Sequence, residues 1–66
     1  MGAHQIPFSK VKLTNRARRE LEKAGKKGYL GEPLSCFQAQ GEMLVVVFRQ
    51  NGQKREFSFE KEQWSV

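Results

Sequence analysis

The clearest pattern along the chain is a pair of apolar-rich runs, Glu42 to Arg49 and Lys54 to Phe59, separated by Gln50-Asn51-Gly52-Gln53. Asn-Gly between two such runs predicts a β-hairpin, because a type I′ loop needs positive φ at both central residues. With Asn51-Gly52 as the loop, Phe48 faces Arg55, Val46 faces Phe57 and Leu44 faces Phe59. One face of the hairpin then carries Leu44, Val46, Phe48, Phe57 and Phe59, the expected core face. The opposite face sets Met43, Val45, Val47 and Arg49 against Lys54, Glu56, Ser58 and Glu60, and is mixed.

Upstream, Phe8-Ser9-Lys10-Val11-Lys12-Leu13 alternates and reads as a half-buried strand. Val11 and Leu13 point one way and Lys10 and Lys12 the other. Pro7 stands just ahead of it, where its missing N–H does little harm. Thr14 and Asn15 then offer N-caps for a short helix from Arg16 to Ala24, with Gly25 as its stop. Ala17, Leu21 and Ala24 form a narrow apolar stripe on that helix. Arg16, Arg18 and Arg19 crowd its first turns, where the helix dipole favours acidic groups.

The stretch Gly25-Lys26-Lys27-Gly28-Tyr29-Leu30-Gly31 predicts a bend or close backbone approach at Gly28, followed by a short strand. It lacks the glycine and lysine spacing of a P-loop, and no βαβ unit fits around it for dinucleotide binding. After Glu32-Pro33, the run Leu34 to Phe37 reads as a bent strand with Leu34 and Cys36 on one face. Gln38 to Gly41 is the expected loop into the hairpin. Glu60 to Gln63 reads as a polar turn, and Trp64-Ser65-Val66 as a last strand with Trp64 and Val66 on one face.

Length limits this reading to one domain, since the chain has 66 residues. Residues 1–7 are expected to be a flexible N-terminal tail and residues 8–66 the domain. A domain of this size buries only about 60% of its unfolded surface. The single cysteine, Cys36, allows no internal disulfide, and with the single His4 it makes no zinc set, so neither a metal nor a cofactor is expected. The longest apolar run, Met43 to Phe48, is far short of the roughly 18 residues of a membrane span. No targeting segment is visible, and the expectation is a soluble cytoplasmic protein, monomeric or weakly homodimeric.

Charge is unevenly placed. Through Gly31 there are eight Lys or Arg and two Glu; from Glu32 onward there are four and five. The basic character of the chain, +5 in all, therefore belongs to its first half. Such a half on a small domain points to nucleic acid or to an acidic protein surface, or serves as a solvated face.

Five short strands and one short helix, curled by glycines, predict a mainly β fold: a small five-stranded barrel with its helix inserted after the first strand. The residues Val11-Lys12-Leu13-Thr14, Gly25 to Gly31, Leu44 to Phe48 followed by Asn51-Gly52, and the terminal Trp64 give the chain a pattern that resembles SH3-like barrels of the KOW type. Short SH3-like proteins of phages and bacteria, in which such a strand leads into a basic helix, are the most similar. What the resemblance implies is fold first. Barrels of that kind serve as RNA-, DNA- or protein-binding modules, and the fold does not choose among them.

No catalytic constellation stands out, and a non-enzymatic role is expected. His4 lies in the expected tail, the serines have no evident base, and Cys36 in its apolar-flanked strand reads as core. The leading expectation is a nucleic-acid-binding module with Lys10, Lys12, Arg16, Arg18, Arg19, Lys23, Lys26 and Lys27 forming a basic side. Their contacts would be mainly to phosphate. Tyr29 is the candidate for base stacking, with core packing as its other reading. The alternative is a protein-interaction module, a small regulator or inhibitor docking on a larger protein through the segment Pro33 to Phe37 or through Val45 and Val47.

Overall fold

Positive φ at Asn51 and Gly52, 54° and 80°, builds the expected two-residue hairpin loop. The structure is a computed structural model and describes residues 4–66. Its strands and helix in chain order are β1 (His4–Gln5), β2 (Lys12–Leu13), α1 (Asn15–Gly25), β3 (Ser35–Ala39), β4 (Met43–Gln50), β5 (Gln53–Phe59) and β6 (Trp64–Ser65). Short 3-10 turns lie at Phe8–Lys10, Gln40–Glu42 and Lys61–Gln63. The hairpin register is the one the Asn-Gly loop dictates: Phe48 pairs with Arg55, Val46 with Phe57 and Leu44 with Phe59.

The protein is mainly β with one helix. Its strands form a four-stranded antiparallel sheet, in the order β1-β3-β4-β5, and a separate two-stranded sheet of β2 and β6. The expected five-stranded barrel is therefore corrected: no closed barrel forms among the described residues. Closure fails because β2 pairs with β6, not with the larger sheet, which leaves β5 at an edge. Lys54 and Glu56 put charges along that edge, a common guard against pairing with another chain. The helix follows the second strand rather than the first.

Where a tail through Pro7 is expected, His4 pairs with Gln38 and Gln5 with Phe37. The Ile6 N–H donates to the Cys36 carbonyl at 3.0 Å, and Ile6 is buried in the core. Residues 1–3 of the expected tail lie outside the described residues. The expected strand Phe8 to Leu13 is also shorter. Phe8 to Lys10 turns as 3-10 helix behind Pro7, and pairing starts only at Lys12. A 3-10 turn sets residues three apart on one side. Phe8 and Val11, at that spacing, both pack on the core, with the Phe8 ring edge-on to Phe48 at 5.9 Å.

No strand forms between Gly28 and Leu34; Gly31, with a φ of +69°, interrupts extended backbone there. Leu34, expected in the strand on the same face as Cys36, lies outside the β3 ladder and is 50% exposed, whereas Cys36 is buried. Gln38 and Ala39 extend β3 instead of starting the loop. At the C-terminus Trp64 packs on the core while Val66 is exposed. The Trp64 Nε1–H donates to the Glu42 carbonyl at 3.0 Å, tying the two-stranded sheet to the turn before β4.

The core is the hairpin's inner face closed by β3, α1 and Ile6. Leu44, Val46, Phe48 and Phe59 are buried, with Ala17 and Cys36 against them. Phe57 is half-buried at the margin, its ring edge-on to Phe48 at 5.8 Å. Each large side chain so buried contributes roughly 1.5–3 kcal/mol of apolar transfer.

Candidate nucleic-acid interface

Helix α1 carries most of the basic residues, and its two ends are fixed by different means. At its start Thr14 is the N-cap, and its Oγ1 accepts the Ala17 N–H at 3.2 Å. That bond satisfies one of the helix's unpaired first-turn donors. No acidic residue stands in the first turn beside Arg16, Arg18 and Arg19. At its other end the expected glycine stop is corrected: Gly25 is the last helical residue, and Lys26, in right-handed helical conformation, is the C-cap. The chain then tightens. The Lys27 and Gly28 N–H groups donate three residues back, to Ala24 and Gly25.

The hairpin holds this end. Gln50, 3% exposed, donates from Nε2 to the Ala24 carbonyl at 2.7 Å and to the Gly28 carbonyl at 2.6 Å. Its Oε1 accepts from Arg55 Nη1 at 2.8 Å. The Asn51 side chain lies against Gly28, where an added Cβ would meet Asn51 Oδ1 at 2.8 Å. Gly28 thus serves the close approach expected of it, with no positive φ.

Packing of α1 sets which cations share a face. Ala17 and Ala24 are buried and Leu21 is half-buried, so the apolar stripe lies on the sheet. At 100° per residue, Arg19 and Lys26 then point away from the core. Arg16 and Lys23, with Lys27 after the helix, line one flank, and Arg18 lies on the other. All six are exposed. The Lys23–Lys27 flank faces β5: Glu20, Lys23, Ala24 and Lys27 form one wall of a groove whose other wall is Arg55 and Phe57. The Arg55 guanidinium also sits over the Phe57 ring, 5.3 Å from its centroid.

Other sequence-predicted residues lie apart from that groove. Lys12, in β2, shares a separate groove with Glu62 and Trp64. Lys10 ends the 3-10 turn after Pro7 and is exposed. Tyr29 is 88% exposed, which removes the core-packing reading, and its ring lies against Gly31. Arg55 and Gln50 were not among the expected site residues. Their signal is a polar residue on the core-facing register of the hairpin, Arg55 opposite Phe48 and Gln50 two residues beyond it.

Cys36 is buried, and burial pushes its thiol above the ordinary value, which keeps it protonated and unreactive at neutral pH. Among the described residues no group of three His, Cys, Asp or Glu side chains could hold a metal ion. No helix there is long and apolar enough to cross a membrane. No known family model matches the chain, and neither a curated protein nor a solved structure matches it.

Proposed function

We propose that this protein is a small non-enzymatic module that binds nucleic acid, mainly through phosphate contacts, with α1 as its contact element. The observation that carries this reading is the placement of Arg16, Arg19, Lys23, Lys26 and Lys27 on the solvent side and one flank of α1. At about 1.5 Å of rise per residue, Arg16 to Lys23 spans about 10 Å. Such a row is long enough to meet adjacent phosphates of one strand. The exposed Tyr29 ring, a few residues past the helix, is available for stacking on an unpaired base. Lys10, Lys12 and Arg18 extend the basic side and contribute to it at longer range.

An SH3-like relationship belongs to the same proposal and rests on the residues quoted for it, Val11 to Thr14, Gly25 to Gly31, Leu44 to Phe48 with Asn51-Gly52, and Trp64. So does a cytoplasmic setting. The competing reading, docking on an acidic or apolar protein surface, has one observation of its own. Leu34 is half exposed beside Val47, on the sheet face opposite the core.

The test is binding to single-stranded and duplex oligonucleotides at low salt, followed as salt is raised. The logarithm of affinity should fall linearly with the logarithm of salt. Replacing Arg19, Lys23 and Lys26 together by Gln should weaken binding and flatten that slope by about 0.7–0.9 for each phosphate no longer neutralised. No binding at low salt refutes the reading. Leu34→Ser should leave oligonucleotide affinity unchanged.

A further inference from the structure

The groove between α1 and β5 has about 270 Å³ of open volume and three cations around it, Lys23, Lys27 and Arg55, against one carboxylate, Glu20. Its two walls come from elements about thirty residues apart, so the cluster is no accident of a local charge run. Arg55 is also unlike the helix cations. Lysines on an exposed helix lose rotamer freedom when they bind, but the Arg55 guanidinium is already fixed by Gln50 Oε1 at 2.8 Å and by the Phe57 ring beneath it. One N–H is thereby used, and the rest of the five-donor fork is what a tetrahedral oxyanion needs.

We propose that this groove is a phosphate-binding subsite, with Arg55 as its fixed donor and Lys23 and Lys27 closing on the ligand from the helix. The proposal rests on the nucleic-acid reading for the source of that phosphate, a backbone phosphodiester. Its chemistry would be the same for free inorganic phosphate. An excess of two positive charges in the groove suits one phosphodiester and leaves attraction for its neighbours along the strand. Arg16, on the same flank of α1, meets the next phosphates. Arg55 thus becomes the point that sets the strand's position, while the outer helix cations supply affinity without position.

The experiment is a titration of the labelled full chain by ¹H–¹⁵N NMR, in three arms at matched ionic strength: inorganic phosphate against chloride, a short single-stranded oligonucleotide, and a poly-glutamate peptide. The reporters are the Arg55 Nε–Hε signal and the backbone amides of Lys23 and Lys27. The variants are Arg55→Gln, Arg55→Lys and Lys27→Gln; Lys27 is exposed and outside the core, so its change tests binding without risking the fold. The expected result is that the oligonucleotide shifts all three reporters. Arg55→Gln and Lys27→Gln should each weaken binding at least about threefold and lower the salt slope by about 0.7. Arg55→Lys should recover the slope but not the full affinity, because it keeps the charge and loses the fork.

Oligonucleotide binding with silent reporters and unchanged variant affinities overturns the subsite and leaves the nucleic-acid reading standing. Phosphate shifting the reporters beyond chloride, with no oligonucleotide binding, keeps the subsite and overturns that reading. Poly-glutamate binding as tightly as the oligonucleotide, through the same reporters, overturns the assignment to phosphate. Silence in every arm overturns both.

Discussion

Gln50 and Arg55 hold one another where the hairpin meets the helix: Arg55 Nη1 donates to Gln50 Oε1 at 2.8 Å. The same amide donates its own N–H groups to the carbonyls of Ala24 and Gly28. One buried side chain thus joins three things: the last turn of α1, the turn after it, and the guanidinium that lines the groove. Folding of the hairpin therefore places Arg55 beside Lys23 and Lys27. Stability and the candidate site share a residue, and the two roles can be separated by substitution.

Replacing Gln50 should cost more than replacing an ordinary surface amide. Gln50→Ala leaves the Gly28 carbonyl without its partner and weakens the pairing of Ala24. A buried polar group left unmade costs about 1–3 kcal/mol, and urea unfolding should report a loss of about that size. Gln50→Glu is the sharper variant. It faces two carbonyl oxygens with an acceptor, with Arg55 as its cationic partner. Its stability should fall below that of Gln50→Ala near neutral pH and recover as the pH is lowered and the carboxyl takes up a proton. Equal stability of both variants across pH would argue against the amide's donor role.

Gly31 has a different reason to resist change. Its φ of +69° is a conformation that L-residues adopt with strain, and an added Cβ would lie 3.3 Å from the Tyr29 ring. Gly31→Ala should lower stability by about 1–2 kcal/mol in the same unfolding experiment. Tyr29→Ala alone, on an 88% exposed side chain, should change stability by less than about 0.5 kcal/mol. Combining the two should recover only the part of the Gly31→Ala loss that comes from the ring. A recovery of the whole loss would show that backbone strain contributes nothing.

The Cys36 thiol gives a pH dependence of definite sign. Burial raises it above its ordinary 9.0, so the folded state keeps a proton that the unfolded chain releases first. Between those two values the folded state binds more protons, and stability falls as pH rises. The contribution is whole below about pH 9 and is lost as the pH climbs through the folded value. Melting temperatures should drop more steeply above pH 9 for the native chain than for Cys36→Ala, whose overall stability is lower. The two proteins differ at this one side chain, so parallel curves would count against the buried thiol as the cause.

What could be read from the chain follows the range of the interactions concerned. The hairpin register was legible because Asn51-Gly52 and period-two patterning act within a few residues. Helix α1 was legible to within a residue at each end, since Thr14 and the stripe Ala17, Leu21, Ala24 are local signals as well. The pairing of His4 and Gln5 with β3 was not. Two-residue strands have no periodicity to detect, and their partners lie more than thirty positions away. The pairing of β2 with β6, which replaces barrel closure, escaped for the same reason. In the candidate interface the helix cations were visible as a run. Arg55 and Gln50 were not, because their meaning depends on α1 docking over the hairpin end, a contact 26 residues apart in sequence.

That pairing of β2 with β6 also divides the basic residues into two groups with different expected weight in binding. Lys12 lines a groove with Glu62 and Trp64, separate from the groove on the α1 flank. In that groove one cation stands against one carboxylate, so the local field is weaker than at Lys23, where Lys27 and Arg55 join it and outweigh Glu20. Lys12→Gln should therefore leave the salt slope of oligonucleotide binding within about 0.3 of its native value, whereas Lys23→Gln should lower it by about 0.7–0.9. Glu62→Gln supplies the converse: with the carboxylate gone, the field around Lys12 becomes more positive and the slope steepens. Trp64, the single tryptophan of the chain, reports on this region by its fluorescence. Its emission should change little when the native protein binds an oligonucleotide and more when Glu62→Gln does. Strong quenching in the native protein, with Lys12→Gln as damaging as Lys23→Gln, would move the contact surface from α1 to the two-stranded sheet.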